Sequence, residues 1–434
     1  MRCSFIRAGT FAMFVMLCLV LAGCSSDRYS GEIRMPDVFS AGGESEPERI
    51  PVDIYWDATY SMQGYATLTG GNVYRTLPDH LGDLGDSMGE VKFFRFGAEV
   101  KPLSGREYRK FSDPAYYDEV ITAMHNVIDV ADASHLSVIV TDLFESDADW
   151  SNVTKKLKGK YFAQHMAVAV IGIKNPFRGD IFDVGLNAAK YFYDSGSDPA
   201  KYRPFYLFIM GPDGKVKEFL ERWKDRQELP NETGYILLSE RLLEKAADFS
   251  SLELKGGKNI LLDERLGLKD KRMKEFGIKE PGETSELVVS FKYEPALGIC
   301  PMSPKDLKLD LEVYTLSSDG AWEKYESDTD AKLDIREDGD NEGAYLVSLS
   351  FTPARTLTPG KINMIHAGIV PSKKGYRLPD WVKKWSMANV DVSPEQFDGS
   401  KTINFYHVIE SLKDSSMAAA RPTVVNMDMV FDLQ

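Results

Sequence analysis

Two aspartates stand where short apolar runs stop. Asp57 follows VDIYW (52–56) and opens the stretch DATYSMQG, while Asp142 follows LSVIVT (136–141). Thr59 and Ser61 place hydroxyls two and four residues beyond Asp57. Carboxylate and hydroxyl oxygens at this spacing are what a hard divalent cation takes. An ordinary strand and turn could carry the same residues, so the stretch by itself leaves both readings open. What favours a site is topology. In an open sheet of parallel strands, ligands bind in the crevice at the carboxyl ends. One such sheet would carry both carboxylates from distant sequence to one crevice.

The elements needed for that are legible. Five apolar runs, VDIYW (52–56), VKFFRFG (91–97), LSVIVTD (136–142), MAVAVIGI (166–173) and FYLFIMG (205–211), are spaced by longer mixed segments. Three of them are near-continuous Val, Ile, Leu and Phe, the composition of strands buried on both faces. TLPDHLGDLGDSMGE (76–90), 118–132, 150–164 and 215–225 read as helices between them, the second with Val120, Met124, Val127 and Ile128 on one face. Alternating strands and helices predict a doubly wound, mostly parallel α/β sheet over 50–228. Residues 175–204 interrupt the alternation as an inserted hairpin. Residues 229–284 read as a connector. From 285 to 434, ELVVSFKYEP, LKLDLEVYTL, GAYLVSLSFTP and KINMIHAGIVP alternate apolar and polar positions, which predicts an antiparallel β-sandwich with short helices beside it.

With the strand ends placed, Asp57-Ala58-Thr59-Tyr60-Ser61-Met62-Gln63-Gly64 resembles the D-x-S-x-S-M-x-G loop of von Willebrand factor A domains, with Thr59 keeping the first hydroxyl. Thr141-Asp142 is similar to the T-D pair of the same metal-ion-dependent adhesion site, with Leu143 where glycine is usual. The resemblance covers roughly residues 50–225. It implies a magnesium or manganese ion held by Asp57, Thr59, Ser61 and Asp142, with one position open to a carboxylate from a protein partner. The family's remaining ligand, a threonine ahead of a helix, falls on Asp118 when DEVITAM (118–124) is set on its pattern. Magnesium suits such a set because it prefers octahedral oxygen ligands and keeps much of its water.

The N-terminus predicts how the chain is held. Arg2 and Arg7 precede an apolar stretch ending Leu21-Ala22-Gly23-Cys24, a secretory leader (1–23) that resembles the bacterial lipobox. Cleavage there would leave Cys24 lipid-modified, and Ser25 after it favours the outer membrane of a Gram-negative cell envelope. Residues 24–49, rich in Ser, Gly and Glu, read as a flexible tether. Of the four cysteines, Cys3 and Cys18 leave with the leader and Cys24 is acylated, so Cys300 has no partner for a disulfide. The net charge is −14, two units more negative once Arg2 and Arg7 are gone. No basic footprint for nucleic acid is present, and membrane contact is expected through the lipid alone.

Other patterns carry less. Residues 338–343 (DGDNEG) start like a calcium loop, but Leu349 stands where glutamate would close it, so a polar turn is expected. Arg178-Gly179-Asp180 is an adhesion tripeptide too short to weigh. Trp381 and Trp385, one helical turn apart, read as packing rather than a sugar platform. No G-x-S-x-G elbow or H-E-x-x-H helix occurs, and no catalytic residue is assigned. The readings are therefore a metal-dependent protein-binding lipoprotein, a metal-free scaffolding lipoprotein, and a magnesium-dependent phosphatase of the haloacid-dehalogenase kind. The last lacks the second aspartate its D-x-D motif requires, because Thr59 stands there.

Overall fold

The computed structural model describes residues 33–35, 49–143, 150–184, 189–226, 232–239, 247–292, 307–326, 329–339, 344–372, 378–388, 396–419 and 423–433. The expected leader, Cys24, most of the tether and Cys300 lie outside the described residues.

The first region is built on β1 (Val52–Asp57), β2 (Val91–Phe96), β3 (Val100–Pro102), β4 (Leu136–Thr141), β5 (Ala167–Asn175), the hairpin β6 (Arg178–Val184) and β7 (Ala189–Asp194), β8 (Arg203–Gly211) and β9 (Thr233–Leu238). Seven of these form one sheet in the order β3-β2-β1-β4-β8-β5-β9. Every residue of β1, β4, β5 and β8 is buried, as their apolar runs require. Helices α1 (Tyr60–Thr67), α2 (Leu77–Asp86), α3 (Met124–Val130), α4 (Trp150–Lys160) and α5 (Asp213–Arg226) intervene. On one face Ile54, Trp56, Val138, Val140 and Leu207 pack with Leu81 of α2 and Phe219 of α5. On the other Tyr55, Ile139, Val170 and Phe208 pack with Val127 of α3 and Leu157 of α4. The α/β character is as expected, but the sheet is mixed.

Only the β2–β1 and β1–β4 pairs are parallel, while β3 is antiparallel to β2, β8 to both β4 and β5, and β9 to β5. The cause is the inserted hairpin. It leaves β5 at Asn175 and re-enters β8 at Arg203, which pair directly, so β8 must run back along the sheet. A parallel partner would need a crossover long enough to traverse the sheet. A second difference concerns 118–132. The helix starts only at Met124, because Glu119 is drawn into an extended bridge with Thr59: its amide donates to the Ala58 carbonyl and its carbonyl accepts from the Tyr60 amide. Val120, expected on the buried face, is instead 75 % exposed.

The second region contains β10 (Glu253–Lys258), β11 (Ile260–Leu262), β12 (Met273–Ile278), β13 (Ser285–Lys292), β14 (Leu307–Leu316), β15 (Trp322–Tyr325), β16 (Lys332–Glu337), β17 (Ala344–Phe351), the one-turn α6 (Pro353–Thr356), β18 (Ile362–Pro371), α7 (Asp380–Lys384), β19 (Ser386–Met387), β20 (Thr402–Ile403), α8 (Phe405–Ala419) and β21 (Val425–Asp432). Two sheets, β10-β13-β17-β16 and β11-β12-β21-β18-β14-β15, share one hydrophobic cluster with Val289, Val347 and Leu349 from the first and Ile365, Met427 and Met429 from the second. All their pairs are antiparallel except β12 with β21. The stretch 229–284 supplies strands to both regions, β9 to the first sheet and β10 to β12 to the second pair.

Two segments cross between regions or onto them. Residues 378–388 and 396–419, placed by sequence position between β18 and β21, pack on the first sheet: Val382, Trp385, Phe405, Val408, Ile409 and Leu412 join Val168, Val170, Tyr206 and Ile236. The 399–401 turn of this strap is fixed by Lys174 Nζ to the Ser400 carbonyl (2.6 Å) and Arg203 Nη1 to the carbonyls of Gly399 (3.1 Å) and Lys401 (2.8 Å). At the other end of the chain, Ile33 and Met35 are buried against Tyr314, Met364 and Val430, with Trp322 Nε1 donating to the Arg34 carbonyl at 2.7 Å.

Candidate metal centre

Asp57 is the last residue of β1 and Asp142 follows β4, so the parallel β1–β4 pair brings both carboxylates to the same sheet edge. Thr59 and Ser61 sit at the start of α1. Thr59 donates to Asp57 Oδ1 twice, from its amide at 3.1 Å and its hydroxyl at 2.7 Å, and its Oγ1 lies 3.1 Å from Ser61 Oγ. Ser61 Oγ in turn donates to Asp142 Oδ1 at 3.2 Å, closing the link between the two aspartates. Thr141 completes the shell by donating to Asp57 Oδ2 at 3.1 Å. All five side chains are buried.

Asp118 is not part of this group. Its side chain is 66 % exposed and pairs with Arg95 Nη2, beside Glu119 on the same guanidinium at 3.6 Å. The hydroxyl that the 118–124 loop brings to the cluster is Thr122, buried, whose Oγ1 donates to Thr59 Oγ1 at 3.2 Å. The loop is held from behind by aromatic groups. Trp56 Nε1 donates to Tyr74 OH at 2.7 Å, Tyr74 and Tyr117 hydroxyls are 2.7 Å apart, and Tyr117 OH donates to the Phe111 carbonyl at 2.7 Å. Thr122 was readable as a hydroxyl directly ahead of the apolar helix positions, which is a helix-start signal. The expected helix over 118–132 hid it by moving the start six residues upstream of Met124.

The cluster is acidic and buried. Burial and the neighbouring Asp142 carboxylate push Asp57 up to about 8, and the donors from Thr59 and Thr141 offset this only in part. No basic side chain is among the hydrogen-bond partners of Asp57. Among the described residues no three His, Cys, Asp or Glu side chains gather as a ligand set. What the edge offers is two carboxylates, Asp57 and Asp142, with the hydroxyls of Thr59, Ser61, Thr122 and Thr141. An all-oxygen set with few formal charges fits magnesium or manganese better than zinc, which prefers nitrogen and sulfur. A cation here would also supply the opposite charge that two buried carboxylates need.

Leu143, next in sequence, has φ 66, a left-handed conformation that glycine adopts freely and leucine does not. It is kept there by burial of its side chain and by its amide, which donates to Thr141 Oγ1 at 3.1 Å. Gly64 has a spatial reason to be glycine: a Cβ on it would come 2.4 Å from the Phe177 ring of the inserted hairpin. The other sequence patterns resolve as packing. Arg178 and Asp180 lie on β6, facing Asp194 (3.4 Å) and Lys190 (2.8 Å) of β7. Trp381 and Trp385 pack edge to face at 4.8 Å, and the Trp381 ring fills the space a Cβ would take on Gly234. Asp338 is buried and accepts from Ser290 Oγ at 3.2 Å, while 340–343 lie outside the described residues. In comparisons with known proteins, no family model matches the chain and no curated protein matches it.

Proposed function

We propose that the chain is a lipid-anchored protein of the cell envelope whose first region captures a protein partner through a divalent ion, magnesium or manganese. The observation that carries this is the buried edge where Asp57 and Asp142 are joined through Thr59 and Ser61, with Asp57 pushed up to about 8. Thr59, Ser61 and Thr122 would hold the ion through hydroxyls, and Asp57 and Asp142 would act directly or through water. The bound ion would supply an electrophilic position for a partner's carboxylate. The resemblance of DATYSMQG to the von Willebrand factor A loop supports the same reading, with Thr122 in place of Asp118. Cys24 would carry the lipid, and the second region would act as spacer.

The test is magnesium and manganese calorimetry on the full chain in detergent. Saturable binding is expected, abolished by Asp57→Ala, weakened at least tenfold by Thr122→Ala on the scale of one lost ligand, and unchanged by Asp118→Ala. Binding that survives Asp57→Ala would end this reading. A metal-free scaffold draws on the same contacts, since the cluster's hydroxyls already satisfy its carboxylates. It predicts that partner capture is insensitive to chelator.

A further inference from the structure

The rim of the cluster has a composition of its own. Eight large apolar side chains are exposed among the described residues, and three of them, Tyr60 (45 %), Val120 (75 %) and Ile121 (48 %), belong to the two segments that carry Thr59, Ser61 and Thr122. Tyr60 lies between Thr59 and Ser61, and its amide donates to the Glu119 carbonyl at 3.1 Å, which sets it beside Val120. Ile121 precedes Thr122, whose hydroxyl touches Thr59. The three are thus carried by two adjoining segments that bound the cluster. Val120 and Ile121 leave much of their apolar area in water, and contact with a partner would bury it.

The charges of the same loop do not compete for the rim. Asp118 is paired with Arg95, and Glu119 lies within 4 Å of both Arg95 and Lys101. The Arg95 guanidinium is itself stacked over Tyr116 at 4.9 Å. Among the described residues, the charges of this loop, Asp118 and Glu119, are thus paired with Arg95 and Lys101.

Resting on the metal reading above, we infer that the Tyr60, Val120 and Ile121 rim selects the partner: it takes a protein segment whose acidic side chain is flanked by an aromatic or branched aliphatic residue. The ion would hold the carboxylate while the rim covers the apolar neighbour. Specificity of this kind comes from the difference between a covered and an uncovered apolar group, and burial of one such side chain corresponds to about tenfold or more in affinity.

The experiment uses small carboxylates as probes of the full chain in detergent, loaded with Mn2+, reading the paramagnetic relaxation of the probe's protons. Acetate supplies a carboxylate alone; 3-phenylpropanoate and 4-methylpentanoate add an apolar arm. Half-saturation by the apolar carboxylates is expected at about one tenth the acetate concentration. In Val120→Ser, and in Tyr60→Ser/Val120→Ser/Ile121→Ser, that advantage should fall below about twofold, with acetate binding as the internal reference in each variant. Val120→Ser is at the most exposed position and keeps the test valid where the triple variant misfolds. Equal binding of acetate and 3-phenylpropanoate by Mn2+-loaded protein would overturn the rim's role and leave the metal site standing. An advantage that persists in Val120→Ser and the triple variant would overturn it as well. Absence of Mn2+ binding to the parent protein would overturn both readings together.

Discussion

Asp57 shares a buried sheet edge with Asp142, and among the described residues its hydrogen-bond donors are Thr59 and Thr141 rather than a basic side chain. Without an ion the pair is a cost to the fold, so Asp57→Asn should stabilise the chelator-treated protein by about 1–3 kcal/mol while removing metal-dependent stabilisation. Urea unfolding with chelator and then with magnesium reads both effects; destabilisation in chelator would contradict the account. Lys174 offers a pH dependence of known sign. Burial between β5 and the strap lowers its ammonium from 10.5 to about 8. Between pH 8 and 10.5 the native side chain is neutral while the unfolded one still binds its proton, so stability rises with pH across that window; below it the cost of burying the charged ammonium is fully present and does not change with pH. The urea midpoint of the parent relative to Lys174→Met should therefore climb from pH 8 to 10, and a flat difference would refute it. At this scale the sequence showed Asp57, Thr59, Ser61 and Asp142, because each lies within a few residues of a strand end. It hid Thr122, because the loop leading to Met124 is extended by bonds to Ala58 and Tyr60 rather than by its own pattern.

Elements meet here through glycines as much as through apolar faces. Gly64 on α1 admits Phe177, and Gly234 on β9 admits Trp381. Both rings are hemmed in, so Gly64→Ala should cost about 1–3 kcal/mol by overpacking, seen as a lower urea midpoint with unchanged slope. Trp385, 1 % exposed, spans α7 and the first sheet; Trp385→Ala should cost about 3–5 kcal/mol and open the strap to protease. The strands themselves were legible because unbroken Val and Ile runs and two-residue alternation are direct consequences of burial on two faces or one. Strand direction was not. The apolar content of FYLFIMG is the same whichever way β8 runs, and only the return of the hairpin from Asn175 to Arg203 decides it.

The whole molecule is tied at both ends. Ile33 and Met35, within the stretch expected to be a free tether, are seated on the six-stranded sheet. With Cys24 lipidated as proposed, only residues 25–32 would separate the lipid from that seat, a reach of roughly 30 Å at full extension. Deleting 378–419 should leave Val170, Tyr206, Phe208 and Ile236 uncovered, turning the protein into one that binds hydrophobic dyes and aggregates; a soluble, dye-silent deletion would show that the strap is dispensable. The helices of this segment were readable from 405, 408, 409 and 412, but which sheet they cover was not, since an apolar stripe does not name its partner. The strap also sets an order of assembly. The first sheet ends at Leu238; α3 and α4 cover part of one face before then, and the last helices to cover that face begin at Asp380. At ribosomal rates, about 140 residues correspond to roughly 10–30 s of synthesis. For that interval Val168, Val170, Tyr206 and Ile236 are made without the strap residues that pack on them, so this part of the core closes only when the chain is nearly complete.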